Sequence, residues 1–318
     1  MGATRVQLKN ILCPTDFSEF SARALRHAMA LARRFEAKLS VLHVIPYPLA
    51  YGGDMPYFPN PPLVENRSYK KEAEAELRQF VEPAILDGVA IHLEIRQGMP
   101  WREIRATAGD LGADLLVMGT HGRGGFERFI LGSVAEKVLH SASCPVLTVC
   151  HEEGRTWQAP GLISRILCAT DLSESSAHTI GLALSLAAES QAHLTLLHVI
   201  ESTPEFRVRD YPPPLLSGLS RQDLREMAGR QLQSAVSQEA RSWCEIEECV
   251  ELGTPYKKIL ERASEDRSDL IVVGGRARGP LGSVWSGSTS RHIVRAATCP
   301  VLTARPLRSD QAAGTSAA

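Results

Sequence analysis

Apolar and polar positions follow two rhythms along the chain, and the rhythms take turns. Lys9 to Pro14 is a short apolar run of strand character. Ser18 to Phe35 then sets Ala22, Leu25, Ala28, Met29 and Ala32 on one helical stripe. Leu39 to Ile45 is a β-branched, apolar strand, and Pro46 to Pro62, rich in Pro, Tyr and Gly, is a loop. Glu65 to Leu86 is a charged helix that Pro83 bends or ends. Val89 to Arg96 alternates Val89, Ile91, Leu93 and Ile95 as a half-buried strand. Trp101 to Leu111 is a helix opened by Pro100, with Gly112 at its end. Asp114 to Met118 is a strand, Ser133 to His140 a short helix, and Pro145 to Val149 a last strand.

Strands alternating with helices imply right-handed crossovers and a parallel sheet covered on both faces. The expected fold class is therefore α/β, with a doubly wound five-stranded sheet. In such a sheet a ligand lies beyond the strand C-termini, where the strand order reverses.

The same plan then recurs. Adding 155 to a residue number turns Ile11-Leu12-Cys13-Pro14-Thr15-Asp16 into Ile166-Leu167-Cys168-Ala169-Thr170-Asp171. It turns Leu42-His43-Val44-Ile45 into Leu197-His198-Val199-Ile200. It turns Asp114-Leu115-Leu116-Val117-Met118-Gly119 into Asp269-Leu270-Ile271-Val272-Val273-Gly274, and Cys144-Pro145-Val146-Leu147-Thr148 into Cys299-Pro300-Val301-Leu302-Thr303. A constant offset of this size is a tandem duplication of a domain; solenoid periods are about 20–50 residues. The expected organisation is a first domain over residues 1–150, a linker over 151–164, a second domain over 165–305 and a disordered tail over 306–318.

Composition narrows the function. The 318 residues carry a net charge of −1. A nucleic-acid binder would show a basic footprint, and an anionic membrane would attract a basic chain, so neither partner is expected. No apolar run approaches the ~18 residues that span a bilayer. The N-terminal stretch has no apolar segment of signal type, and Val6 stands where a myristoylation motif wants Ser or Thr. The seven cysteines form no C-x-x-C pair. A cytoplasmic chain with reduced thiols is the expectation.

Unusual residues gather where the strand order should reverse. Pro14-Thr15-Asp16 follows the first strand. Gly119-Thr120-His121-Gly122-Arg123-Gly124-Gly125 follows the fourth, and Gly132-Ser133 opens the next helix. Glycines let backbone N–H groups approach a ligand, and a helix N-terminus offers N–H donors and a positive dipole end. The combination reads as a phosphate cradle. Each part also has an ordinary structural reading. Ser133-x-x-Glu136 is a capping box. Asp16 can cap the helix at Ser18. His43 and His198 read as satisfied core residues, and Cys144 and Cys299 as small buried packing residues. Walker A, G-x-G-x-x-G, G-x-S-x-G, H-E-x-x-H and EF-hand patterns do not occur at the places their chemistry needs.

The spacing Gly119-x-x-Gly122, nine residues, then Gly132-Ser133 resembles the ATP-binding signature of the universal stress protein family. The Pro14-Thr15-Asp16 turn, the Leu42-His43-Val44-Ile45 strand and Cys144-Pro145-Val146-Leu147 match as well, and the chain looks like a tandem member. The resemblance implies strand order 3-2-1-4-5. It implies that Pro14, Thr15 and Asp16 contact adenosine, with Asp16 near the ribose, and that Val44 lines the adenine pocket through its backbone. Gly119, His121, Gly122, Gly132, Ser133 and Val134 would hold the phosphates of ATP, with Met118 beside them and magnesium as a companion ion. It also implies pairing of the last strands, here as an intramolecular pseudo-dimer, with room for a homodimer and for a protein partner of unknown identity.

The second repeat departs from this pattern. Its corresponding site would comprise Thr170, Asp171, Val199, Gly274, Gly287 and Ser288. Ala277 replaces the second glycine, Arg276 replaces His121, Ala169 replaces Pro14, and Pro280 removes a loop N–H. If the second glycine needs φ > 0, a Cβ there costs on the order of 1 kcal/mol or more. Arg276 and Arg278 offer compensating phosphate contacts. The expectation is ATP binding in repeat one and weak or no binding in repeat two. Function then divides three ways: an ATP-binding stress protein that switches conformation or partner without efficient catalysis, a slow ATPase with His121 and Asp16 as local candidates, or a nucleotide-independent scaffold.

Overall fold

In the computed structural model of the chain, the described residues are 7–46, 67–86, 88–122, 131–150, 163–173, 176–201, 220–275 and 288–304. Apart from Pro46, the expected loop over 46–62 lies outside them, as do residues 151–162 of the linker and the expected tail.

The first repeat runs β1 (Asn10–Thr15), α1 (Glu19–Phe35), β2 (Lys38–Pro46), α2 (Arg67–Leu86), β3 (Ile91–Gly98), α3 (Pro100–Asp110), β4 (Leu115–Gly119), α4 (Ser133–Ser141) and β5 (Val146–Val149). The second runs β6 (Arg165–Thr170), α5 (Ser176–Ser190), β7 (His193–Glu201), α6 (Arg221–Ser234), a 3-10 turn (Ala240–Ser242), β8 (Ile246–Gly253), α7 (Pro255–Glu265), β9 (Leu270–Gly274), α8 (Ser288–Ala296) and β10 (Val301–Ala304). Local chemistry sets the boundaries. The Ser18 side chain caps α1 by accepting from Ser21 N–H, and Glu36 ends that helix at φ 52°. Pro100 and Pro255 open α3 and α7 at a position where a missing N–H costs nothing. Pro83 does not end α2, which continues to Leu86. A proline so near the helix end removes one backbone bond without undoing the turns before it.

The ten strands form one sheet in the order β3-β2-β1-β4-β5-β10-β9-β6-β7-β8. Each repeat therefore has the 3-2-1-4-5 order. All pairings are parallel except that of β5 with β10, which is antiparallel, with Thr148↔Val301, Leu147↔Leu302 and Val146↔Thr303. Strand side chains alternate between two cores. Ile11, Cys13, Ile166 and Cys168 pack against α1, α2, α5 and α6 on one face. Leu12, Leu116, Leu167 and Ile271 pack against α3, α4, α7 and α8 on the other. Burial pushes the Cys13 and Cys168 thiols up to about 12, so neither ionises near neutrality. Cys144 and Cys299 are buried packing residues too, and no disulfide joins any of the seven thiols.

The β1–β4 ladder has rows at Ile11↔Leu115 and Leu12↔Leu116 and then stops. The corresponding β6–β9 ladder continues through Cys168↔Val272 and Ala169↔Val273. Pro14 stands where Ala169 stands, and proline has no N–H to give a ladder. A central strand tolerates it here because the strand order reverses between β1 and β4. No helix among the described residues is long and apolar enough to cross a membrane.

Candidate functional site

The turn after β1 is held by side chains. Thr15 is buried; its Oγ1 accepts from Phe17 N–H at 3.0 Å and donates to Ser21 Oγ at 3.0 Å. Phe17 adopts φ 63°, a left-handed conformation rare for a bulky residue. Its ring recovers that cost by stacking on His43, centroids 4.3 Å apart, and meeting Phe80 edge-on at 5.6 Å. Repeat two builds the same turn: Leu172 has φ 58°, and Thr170 Oγ1 accepts from its N–H at 3.0 Å. His43 Nδ1 lies 2.9 Å from Thr15 O, and His198 Nδ1 lies 2.9 Å from Thr170 O. Both histidines are thus satisfied within the sheet.

Asp16 does not cap α1, because Ser18 does. Asp16 Oδ1 instead accepts from Ser18 N–H at 3.1 Å and Ser18 Oγ at 2.6 Å. The other oxygen faces the glycine segment: a Cβ placed on Gly122 would lie 2.5 Å from Asp16 Oδ2. Gly122 is not among the positive-φ residues. This corrects the reason expected for it. What marks the position is close approach to the end of the Asp16 side chain, not a left-handed backbone. Gly119 is also a close-approach glycine, since a Cβ there would meet Phe20 backbone carbon and oxygen at 3.1 Å.

Thr120, absent from the sequence-based site, joins its two parts. Its N–H donates to Val149 O at 3.0 Å, and its carbonyl accepts from Gly132 N–H at 2.8 Å. The glycines after β4 and the start of α4 are therefore tied together across the intervening residues. Thr120 Oγ1 lies 3.0 Å from His121 Nδ1, and the His121 ring sits 5.3 Å from that of Phe20. His121 Nε2 is buried with no hydrogen-bond partner among the described residues. A signal for Thr120 was present in the sequence, because its counterpart in repeat two is Gly275, which has no hydroxyl.

The capping-box reading of Ser133 fails. Gly132 is the N-cap of α4 and makes no side-chain capping bond, and Ser133 is the exposed first helical residue. Glu136 turns away from the helix start and pairs with Arg291 and, at 3.7 Å, with Arg295 of α8. The first N–H groups of α4 have no intrahelical acceptor and point out of the helix start. Val134 is half-buried beside them. Val44 and Met118 are buried together in the core beneath α3 and α4.

In repeat two, Asp171 accepts from Ser173 N–H at 3.1 Å and Ser173 Oγ at 2.6 Å, and Val199 is buried in the same core as Val44. Gly274 O accepts from Ser290 Oγ at 2.9 Å, and Ser288 is the exposed first residue of α8. Gly287, Arg276, Ala277, Arg278 and Pro280 lie outside the described residues, as do Arg123, Gly124 and Gly125. Among the described residues, no group of three or more His, Cys, Asp or Glu side chains is arranged to hold a metal ion.

Sheet order and strand pairing together define a doubly wound α/β protein, duplicated and joined through its last strands. The sequence profile of the Universal stress protein family matches residues 7–149 and again 163–305. The chain belongs to the universal stress protein family, in a tandem form. It is similar to a universal stress protein of Methanocaldococcus jannaschii, 39% identical over 141 residues, which are 44% of this chain and 81% of that one. It is similar over nearly its whole length to a universal stress protein of Mycolicibacterium smegmatis, 28% identical over 305 residues, covering 93% and 97% of the two chains. The fold is that of a universal stress protein from Archaeoglobus fulgidus, with TM-score 0.66 and 24% identity over 95% of this chain and 100% of that one.

Proposed function

We propose that the first repeat binds ATP and that the bound nucleotide switches the conformation or partner of a stress-response protein. The observation that carries this reading is the Thr120 O to Gly132 N–H bond, which brings the glycine segment and the α4 N-terminus to one point. Phosphates suit that point because exposed N–H groups and the helix dipole both favour negative charge. Ser133 adds a hydroxyl, and Gly119, Gly122 and Gly132 keep side chains out of the way. His121 Nε2, in the tautomer that puts the proton there, can donate to a phosphate oxygen. The turn of Pro14, Thr15 and Asp16 would meet the adenosine end. A magnesium ion accompanying the ATP would keep much of its coordination as water and phosphate oxygen. Met118 and Val44 stiffen the floor.

The second repeat binds weakly or not at all. Gly275 lacks the hydroxyl that meets His121 in repeat one, and Ala277 stands in the sequence where repeat one has Gly122. The proposed role is binding rather than efficient hydrolysis, with domains divided near residues 150 and 165 and the halves acting as an intramolecular pseudo-dimer. Titration calorimetry of the purified chain tests the binding claim. One ATP per chain is expected; two equal sites overturn the asymmetry, and none leaves the scaffold reading standing. ADP accumulating with enzyme-like turnover overturns the claim of binding without efficient hydrolysis.

A further inference from the structure

The pseudo-twofold axis relating the repeats passes between Leu147 and Leu302. These two are ladder partners and are 155 apart in sequence. Any residue on this axis meets its own counterpart. The strand residues there are identical in type, Val146-Leu147-Thr148 against Val301-Leu302-Thr303. Most residues lining the small apolar cavity beneath the seam are matched as well, Leu31 with Leu186, Leu115 with Leu270 and Leu8 with Ile163, whereas Leu182 has His27 as its counterpart. The strand ladder would therefore accept a second copy of the same repeat as readily as the other repeat.

The helices would not. Glu136 and Arg291 are also 155 apart and also meet across the axis, as an ion pair. Arg295 joins them, its Nη2 3.7 Å from Glu136 Oε1. We infer that Glu136, Arg291 and Arg295 are a pairing code that makes repeat one accept repeat two and refuse another copy of itself. Two first repeats would bring Glu136 against Glu136. Two second repeats would bring Arg291 against Arg291, with an Arg295 on each side. Like charges facing one another suppress wrong partners even where the apolar contact is good. The consequence is closure: one chain satisfies its own seam, whereas like-with-like pairing would link chain to chain without end.

Charge reversal in the full-length chain tests this. Glu136→Arg puts arginine on both sides of the seam, and Arg291→Glu with Arg295→Glu puts glutamate on both. Each variant alone should melt below the parent. The chain carrying all three changes should recover most of the loss, which guards against simple misfolding. The decisive readout is native mass spectrometry of the two reversed variants refolded together at low salt. Their charges complement only between chains, so the mixed dimer should exceed either like dimer by about tenfold or more, the equivalent of ~1.4 kcal/mol. Salt near 1 M should shrink that excess. Recovery in the triple variant without mixed dimers would mean an ordinary ion pair and would overturn the pairing role. Reversed variants as stable as the parent would overturn it as well.

Discussion

β4 and β9 meet their following helices with different side chains. In repeat one, the backbone does the work: Thr120 O accepts from Gly132 N–H at 2.8 Å, and the Thr120 hydroxyl reaches His121. In repeat two, Gly275 takes the place of Thr120, and Ser290 Oγ, inside α8, donates to Gly274 O at 2.9 Å. Repeat one has Ala135 where repeat two has Ser290. Both joints fix a helix on the end of a strand, so the fold is served equally. In repeat one the Thr120 hydroxyl also meets His121, a contact that Gly275 has no side chain to make. A shared fold thus constrains the joint loosely, and the site depends on which atoms make it.

The same comparison extends to α1 and α5, where His27 and Leu182 correspond. His27 is 2% exposed, and burial, with Arg26 nearby, lowers its pKa from 6.5 to about 4. The unfolded chain therefore binds a proton near pH 6.5 that the folded chain refuses until about pH 4. Stability falls as pH drops through that window, and the penalty vanishes above it. His27→Leu, copying repeat two, should abolish up to about 3 kcal/mol of acid destabilisation, measured by denaturant unfolding from pH 7 to 4. An unchanged acid profile would assign the loss elsewhere.

Next in size is Gly122→Val. A Cβ there meets Asp16 Oδ2 at 2.5 Å. ATP affinity by calorimetry should fall by about a hundredfold, ~2.7 kcal/mol, with melting temperature little changed. Thr120→Gly, which makes repeat one resemble repeat two, should lose about tenfold, ~1.4 kcal/mol, because His121 is no longer held. The smallest effect is expected from the reverse graft, Gly275→Thr with Ala277→Gly. It should raise the second-site affinity by less than about tenfold, since Pro14's counterpart is still Ala169 and the β6–β9 ladder still runs on.

The elements were legible because strand and helix leave different periods. The strand alternation of Ile11, Leu12 and Cys13 separates the two cores, and both Pro-started helices begin where proline is harmless. The third strand lies at Ile91–Gly98, two residues later than its apolar alternation suggests, because pairing with β2 carries it on to Gly98. Ser133-x-x-Glu136 misled for a physical reason. A capping box is a local pattern, and Glu136 is claimed by arginines of another helix that no local pattern contains. Gly122 was recognisable as special, but its cause was not, because the crowding atom belongs to a turn about a hundred residues away. Threonine after a strand is ordinary, and the one sequence signal for Thr120, its exchange for Gly275 in repeat two, gains meaning from the contact of its hydroxyl with His121.

Joining β5 to β10 changes how the sheet meets its surroundings. Two separate five-stranded sheets would present four open edges, each a row of unpaired backbone groups able to recruit a stray strand. The continuous sheet presents two, β3 and β8, at opposite ends. Both are guarded by charge. On β3, His92 and Arg96 both approach Glu94. On β8, Glu247, Glu248 and Glu251 pair with Arg262, Arg241 and Lys258. A strand adding to either edge would have to strip or oppose these side chains. The seam therefore does more than unite the halves: it removes the two least protected edges from solution and leaves aggregation to be resisted only where the chain has already armed itself.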